Sequence, residues 1–415
     1  MSIQLIPEKD LPDFMTIVAN AYPRMNLSTP EERERTLNHL LRLQNEEPTS
    51  HMYGVYRDGI LRGGMILYDF TMTVFSIPTL VGGVGLVAVD LLHKREKICK
   101  DMISFFLDYY KKKGSFLTSL YPFRPDFYKE MGFGFGTKLH QYRLHPDQLP
   151  ARTREHIHFL SAKDTSALVD CYNRYAMRTH GMMKLTSKRK VERLMDDPLT
   201  RIVGYKAGDT IQGYLIFTFK EAETENFVIN DIRVREFICE TREAFWELLT
   251  FLHSQKDQIR YCIINTHDEC FHHLLDDPRY GEDMLMPHIY HETDRGGVGL
   301  MYRVIDVRRA FEVLKDHNFG GLDCRLRIDI EDRFYPENQG SYIIHFEKGI
   351  PRLGRNDFEV SICLEISDFS SLIMGVVPFD KLHIYGLAEI SDCGYIDIVT
   401  RLFAWPEKPV CTTEF

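Results

Sequence analysis

The sequence predicts an α/β chain whose first part is duplicated, followed by an α+β domain. Three observations carry that expectation. Two hairpin patterns match, Gly54-Val55-Tyr56 with Gly59-Ile60 and Gly63 against Gly204-Tyr205 with Gly208, Ile211 and Gly213. Each pattern is followed by a strand, an amphipathic helix and another strand, so the order of elements repeats as well as the residues. After about residue 285 the texture changes to short alternating strands and short helices, the mark of a separate α+β unit. The expected division is 1–146, 147–285 and 286–415.

In the first repeat a strand at 3–6 precedes a helix carrying Leu11, Phe14, Met15 and Val18. A second helix is announced by Ser28-Thr29-Pro30-Glu31-Glu32, a cap residue followed by proline at the first helical position. Residues 52–56 and 64–70 flank Asp58-Gly59, a hairpin signal. A buried strand at 84–89 then leads to the basic cluster His93-Lys94-Arg95-Glu96-Lys97 and a helix with Ile98, Met102, Phe105, Phe106 and Tyr109 on its apolar face. A strand at 115–121 closes the unit. The second repeat reads as a helix at 167–179, a hairpin over 201–205 and 212–219, a strand at 227–234, a helix through Ala244, Leu248 and Leu252, and a strand at 260–265. Arg235-Glu236-Phe237-Ile238-Cys239-Glu240 stands where the first copy has its basic cluster, so the second copy reads as structural. In the last part, strands at 322–330, 340–346 and 358–366 and helices at 368–374 and 394–402 are expected.

Composition excludes several function classes. The 415 residues are 44% hydrophobic and 27% charged, an ordinary globular balance and not a disordered one. A net charge of −9 argues against nucleic acid or an anionic membrane as the main partner and suits cationic small molecules. No apolar run approaches the roughly 20 residues of a membrane span, and the N-terminus lacks a signal-peptide pattern. The nine cysteines are scattered and never in Cys-x-x-Cys spacing, which points to reduced thiols in a cytoplasm. His272-His273 and the set His288, His291 and Glu292 lack partners at zinc spacing, so no metal is expected. Asp306 reads as a helix cap or interface residue, and Lys111-Lys112-Lys113 as a solvated helix end.

The basic cluster carries the first chemical signal. Cations at a helix N-terminus oppose its dipole by about 0.3–1 kcal/mol each, which becomes sensible if an anion docks on the free backbone N–H groups. A solvated charged turn is the other reading. Beyond it runs Arg124-Pro125-Asp126-Phe127-Tyr128-Lys129-Glu130-Met131-Gly132-Phe133-Gly134.

With these residues the first segment resembles the GNAT acyltransferase superfamily. There a splayed strand, an anion-binding turn and a helix hold the pyrophosphate of acetyl-CoA. The motif Phe127–Gly134, residues 301–310 and the aromatic last residue Phe415 extend the resemblance over the whole chain, to the Eis (enhanced intracellular survival) acetyltransferases. These join an active GNAT domain, a degenerate GNAT copy and a sterol-carrier-protein-like domain, and acetylate amines of aminoglycosides and other cationic substrates.

The resemblance implies roles residue by residue. Tyr128 falls on the general acid that protonates the departing CoA thiolate; a phenol with an ordinary pKa of about 10 suits that task. The terminal carboxylate of Phe415 falls on the general base. With an ordinary pKa of about 3.3–3.7 it would act largely by orienting the amine and stabilising its developing charge. Val87, Ala88 and Val89 would supply backbone groups to the acetyl carbonyl and the pantetheine arm. Lys94, Arg95, Lys97 and Ile98 would hold the pyrophosphate. Acetyl-CoA is the implied co-substrate, a small-molecule amine or lysine side chain the acceptor, and a homo-oligomer, hexameric in related proteins, the assembly. One departure stands out. The superfamily turn is Arg/Gln-x-x-Gly-x-Gly/Ala, whereas Lys94-Arg95-Glu96-Lys97-Ile98-Cys99 occupies its place, with Lys97 at the first glycine. Either basic side chains replace the glycines, or CoA chemistry is lost and a binding or scaffold protein remains.

Overall fold

The computed structural model describes residues 2–23, 27, 29–222, 228–281 and 285–415. The chain divides into two units: 1–136 with 300–409 and 413–415, and 137–299 with 410–412. Among the described residues no helix is long and apolar enough to cross a membrane.

In the first unit β1 (Ser2–Leu5) is followed by helices α1 (Leu11–Ala21) and α2 (Pro30–Glu46). Thr29 caps α2: its side chain accepts from Glu32 N and the Glu32 carboxylate accepts from Thr29 N, both at 3.2 Å, with Pro30 at the first helical position. Ser28 lies outside the described residues. Strands β2 (Ser50–Arg57) and β3 (Ile60–Val74) join through Asp58 and Gly59, both at positive φ as a tight hairpin turn requires. Then come β4 (Ile77–Val89), α3 (Ile98–Lys112), β5 (Leu117–Leu120), α4 (Pro125–Lys129) and β6 (Gly134–Phe135). Helix α3 buries Ile98, Met102, Ile103, Phe106, Leu107 and Tyr110. Phe105 and Tyr109, expected on that apolar face, are only half-buried and pack on Tyr53.

Met301–Val304 completes this sheet, inserted between β5 and β6 and antiparallel to both. The strand β7 (Leu139–Leu144) instead pairs in the second unit's sheet. The sheets thus break at Gly136 and Leu300 rather than near residues 146 and 286.

The second unit repeats the plan. It contains β8 (Ile157–Phe159), α5 (Thr165–Arg178), α6 (Arg189–Asp196), β9 (Thr200–Ala207), β10 (Thr210–Glu221), β11 (Asn230–Cys239), α7 (Arg242–His253) and β12 (Ile259–Thr266). The strand expected from Phe227, which lies outside the described residues, to Val234 runs on to Cys239. Buried Val234 and Ile238 alternate with exposed Arg233 and Arg235, so 235–239 is strand and not turn. The glycines of the repeat explain themselves here. A Cβ on Gly63 would meet Ala88 O, Ile98 and Met102 at 2.9, 3.1 and 3.5 Å, and a Cβ on Gly213 would meet Ile238 O, Ala244 and Leu248 at 3.0, 2.9 and 3.3 Å. In both copies glycine lets a crossover helix lie directly on the sheet. The matches also align Ala88 with Ile238 and Ile98 with Ala244.

Residues 307–409 of the first unit form a five-stranded sheet in the order Ile350–Leu353, Gly340–Glu347, Cys324–Glu331, Val360–Glu365 and Ala388–Ile390, with helices Ile366–Ile373, Phe379–Ile384 and Ile396–Leu402. Helices Ile366–Ile373 and Ile396–Leu402 match the two expected, and Phe379–Ile384 is a further one between them. Asp306 is the N-cap of Val307–Val313, accepting from Arg309 N at 2.8 Å.

The motif Met131-Gly132-Phe133-Gly134 is where α4 meets this region. Arg303 is 0% exposed, and its Nη2 donates to both oxygens of Asp332 at 2.9 and 2.8 Å. Gly132 sits at φ +82, and a Cβ there would lie 1.6 Å from Arg303 Nη1. A Cβ on Gly134 would lie 2.0 Å from Ser367 O, because helix Ile366–Ile373 rests on it. Gly132→Ala therefore has to displace a buried, paired cation. It is expected to lose about 3 kcal/mol or more of unfolding free energy, measured by urea denaturation; a loss under about 1 kcal/mol would show that Arg303 yields freely.

Candidate active site

Strands β4 and β5 run parallel but pair over only three positions, Val81↔Leu117, Gly82↔Thr118 and Gly83↔Ser119. Beyond Gly83, β4 stays with β3 as far as Val89 and leaves β5. The β3–β4 register shifts between Gly64 and Ile66, and Leu86, in that bulge, has φ 49. A bulge turns backbone groups out of the ladder. The result is a V-shaped split with one edge of β4 exposed to it.

The C-terminal residue sits at this split. The Phe415 ring lies 4.7 Å from Phe70, 5.4 Å from Tyr121 and 5.8 Å from Tyr68. Its carboxyl carbon lies 3.1 Å from where a Cβ on Gly85 would stand, and its ring 3.1 Å from that of Gly83. Glycine at both positions lets the chain end lie on β4. The terminal carboxylate has no cationic partner among the described residues, and the aromatic packing makes this end an ordered one.

The turn between β4 and α3 takes left-handed backbone without glycine. Arg95 and Lys97 have φ 68 and 64, the left-handed conformation that glycine adopts without strain. Lys97 is the N-cap of α3 and offers no side-chain cap. The first helical bond runs from Asp101 N to Lys97 O at 3.0 Å, leaving the N–H groups of Ile98, Cys99 and Lys100 without an acceptor among the described residues. Glu96 is turned away: its carboxylate pairs with Arg57 Nη1, and Arg57 Nη2 donates to the Glu96 carbonyl at 3.0 Å. Lys94, Arg95 and Lys97 are exposed and form no ion pair among the described residues. Helix dipole, open N–H groups and three unpaired cations make an anion site suited to a diphosphate.

Tyr128 lies in α4, which Pro125 starts; Arg124 holds the N-cap position without a side-chain cap. It is 3% exposed, among the rings of Phe123, Phe127 and Phe133. Burial, with the fields of Cys99 and Tyr22, pushes its phenol far above the ordinary value. Burial likewise raises the Cys99 thiol to about 11. Tyr22, at the end of α1, donates its hydroxyl to the Val87 carbonyl at 2.8 Å. Tyr22, Cys99, Tyr128 and the bulge of β4 thus form one cluster. The Ala88 carbonyl points the other way, toward Gly63 on β3, so Val87 alone of the three strand residues has its carbonyl held by Tyr22. Ile98 buries its side chain and presents only its N–H. Tyr22 and Cys99 carried no sequence signal beyond a tyrosine before Pro23 at a helix end and a thiol in the first turn of a helix.

The second copy lacks this anion site. Eight residues (90–97) separate Val89 from Ile98, but four (240–243) separate Cys239 from Ala244. Thr241 caps α7 with its own side chain, accepting from Ala244 N at 3.2 Å. Glu240, bound by Arg174 and Arg178, places an acid beside it. Of the histidines weighed as metal ligands, His291 lies exposed on the hairpin Leu285–Met286/Tyr290–His291 and His288 in its turn.

Residues 2–136 match the family model of an acetyltransferase (GNAT) domain, 176–304 match a second acetyltransferase (GNAT) domain, and 307–412 match a sterol carrier protein domain. The chain is thus a tandem GNAT protein ending in a sterol carrier protein domain, and an enzyme of the acyltransferase class. Among the solved structures that resemble it over the whole of this chain are the following three. A GCN5-related N-acetyltransferase from Anabaena variabilis ATCC 29413 superposes with TM-score 0.81 at 16% identity, covering 100% of both chains. A conserved protein of unknown function from Enterococcus faecalis V583, a probable N-acyltransferase, gives 0.80 at 16%, covering 100% of this chain and 99% of the other. Eis1 from Mycobacterium abscessus gives 0.77 at 19%, covering 100% of both. No curated protein gives a significant match.

Burial raises the Tyr128 phenol well above the ordinary phenol value. Alkaline difference absorbance between the protein and Tyr128→Phe should show no ionisation of this group in the ordinary phenol range; an ionisation near 10 would mean the hydroxyl is solvated.

Proposed function

We propose that this chain is an acetyl-CoA-dependent N-acetyltransferase of the Eis type. Its acceptors are amines of cationic small molecules, aminoglycoside- or polyamine-like, or lysine side chains. The observation that carries the reading is the packed chain end: the Phe415 carboxylate lies on Gly85, in the split where β4 leaves β5. Acetyl-CoA supplies an acyl thioester ready for attack by an amine. Lys94, Arg95 and Lys97, with the N–H of Ile98, hold the diphosphate. The backbone of Val87 and Val89 at the bulge of β4 orients the pantetheine arm and the acetyl carbonyl. The Phe415 carboxylate accepts the amine's hydrogen bond, stabilises the positive charge that develops on nitrogen and takes, directly or through water, the proton the nitrogen sheds as the amide forms. Tyr128, kept protonated by burial, gives its proton to the sulfur that leaves. Transfer is direct, in a ternary complex, and its rate rests on holding the two reactants together.

A net charge of −9 supports cationic acceptors. The assembly is a homo-oligomer in the cytoplasm. That part of the reading is supported by nine cysteines without a disulfide and by a hairpin tip that leaves Leu285, Met286, Ile289 and Tyr290 exposed at 55, 52, 83 and 63%.

Thiol release from acetyl-CoA with a polyamine such as spermine tests the reading. Tyr128→Phe should lower kcat by about 10²-fold or more. Release that no amine accelerates, or that Tyr128→Phe leaves unchanged, contradicts it. A second test uses the backbone of the turn. A left-handed conformation costs a non-glycine residue about 1–2 kcal/mol, and glycine's extra freedom when unfolded costs about 0.5–1. Lys97→Gly should therefore melt no lower without ligand, yet bind acetyl-CoA about tenfold more weakly through loss of its charge. An unchanged Kd removes the Lys97 side chain from the site.

A further inference from the structure

The second GNAT copy also has a split, and it is filled by protein. Strands β11 and β12 pair in parallel from Asn230↔Ile259 to Arg233↔Ile263 and then separate. The β10–β11 register shifts between Ile216 and Phe217, opposite Arg235, as the β3–β4 register shifts near Leu86. With Ala88 aligned to Ile238, Glu236 stands at the position of Leu86. Residues 410–412, which cluster with this second unit, bond to it at three places. Val410 N donates to the His180 carbonyl at 2.8 Å. The Cys411 carbonyl lies 3.2 Å from His267 Nε2. The Thr412 hydroxyl donates to the Glu236 carboxylate at 3.3 Å, and Tyr214 donates to the same carboxylate at 2.6 Å. His267 follows the end of β12, and its Nδ1 lies 2.8 Å from the Lys138 carbonyl. Both contacts are to carbonyl oxygens, so the bond is made by whichever ring nitrogen carries the proton.

We propose that the degenerate GNAT copy is the anchor of the C-terminal strap, with His267 and Glu236 as positioning residues for the terminal carboxylate. Neither touches the reacting atoms. Four residues from Cys411 to Phe415 extend at most about 14 Å, so fixing Cys411 confines the carboxylate to a small volume. A free chain end would instead sample solvent. The copy that gave up its anion site keeps the strand geometry of a GNAT split and uses it to hold a segment of its own chain. The proposal rests on the acetyltransferase reading for its consequence, though not for the anchoring itself.

The test uses the full chain with His267→Ala, Glu236→Ala and the strap-side variant Thr412→Val. Thr412→Val removes one hydroxyl from the tail and leaves the body of the unit intact. Carboxypeptidase A, which removes aromatic C-terminal residues, reports how freely Phe415 leaves its seat. The expected result is slow release from the wild type and release at least tenfold faster from each variant, at melting temperatures within a few degrees. In polyamine acetylation the variants should lose about tenfold in kcat, with KM for acetyl-CoA within twofold, and His267→Gln, whose amide still donates to a carbonyl, should recover most of the loss. Wild-type release as fast as that of the variants overturns the anchor. Faster release with unchanged kcat overturns the positioning role. A wild type with no acetyl transfer at all sinks the acetyltransferase reading alone, since the release measurement still decides the anchor.

Discussion

The parting of β4 from β5 after Gly83 and Ser119 is the constraint on which the rest of this protein depends. A parallel pair that stopped earlier would lose the register that seats α3, and one that continued would close the edge of β4. Because it stops there, the bulge at Leu86 can turn backbone groups outward and α3 can aim its free N–H groups along the split. Glycines at 83 and 85 leave room on the strand for Phe415. Strand divergence, helix terminus and chain end are therefore parts of one arrangement.

Two features set this site apart within that arrangement. The turn before α3 takes left-handed backbone at Arg95 and Lys97 without glycine, so two exposed cations stand at the start of the helix. The acid that looked incompatible with an anion, Glu96, is neutralised by Arg57 from β2. On the other side, Tyr128 owes its position to a buried ion pair: Arg303 and Asp332 fill the space beside Gly132 and fix the turn after α4. A phenol in so apolar a setting holds its proton at any physiological pH.

Local signals were legible in the sequence where local physics decides. The Asp58-Gly59 turn, the capping box at Thr29 and Glu32 and the paired glycines 63 and 213 all reflect short-range sterics. The basic cluster lies at the head of α3, where the apolar periodicity begins, and the ring of Phe415 packs on Phe70. Non-local pairing was not legible. Nothing in Leu139–Leu144 or Met301–Val304 says which sheet each joins, since an alternating strand fits any edge of matching polarity. Arg235–Cys239 was misread for a related reason, because charges on the solvent face of a strand look like those of a turn. The fate of Glu96 depended on an arginine 39 residues away, and the contacts of Tyr22 and residues 410–412 on folds of the chain that no short window contains.

The central claim is that the chain's last carboxylate meets the acceptor amine. It is tested most directly by a semisynthetic protein ending in a Phe415 carboxamide, equal in shape and without charge. The account predicts that kcat for acetyl transfer falls about 10²-fold while acetyl-CoA binds as before. Undiminished kcat in the carboxamide protein would contradict it.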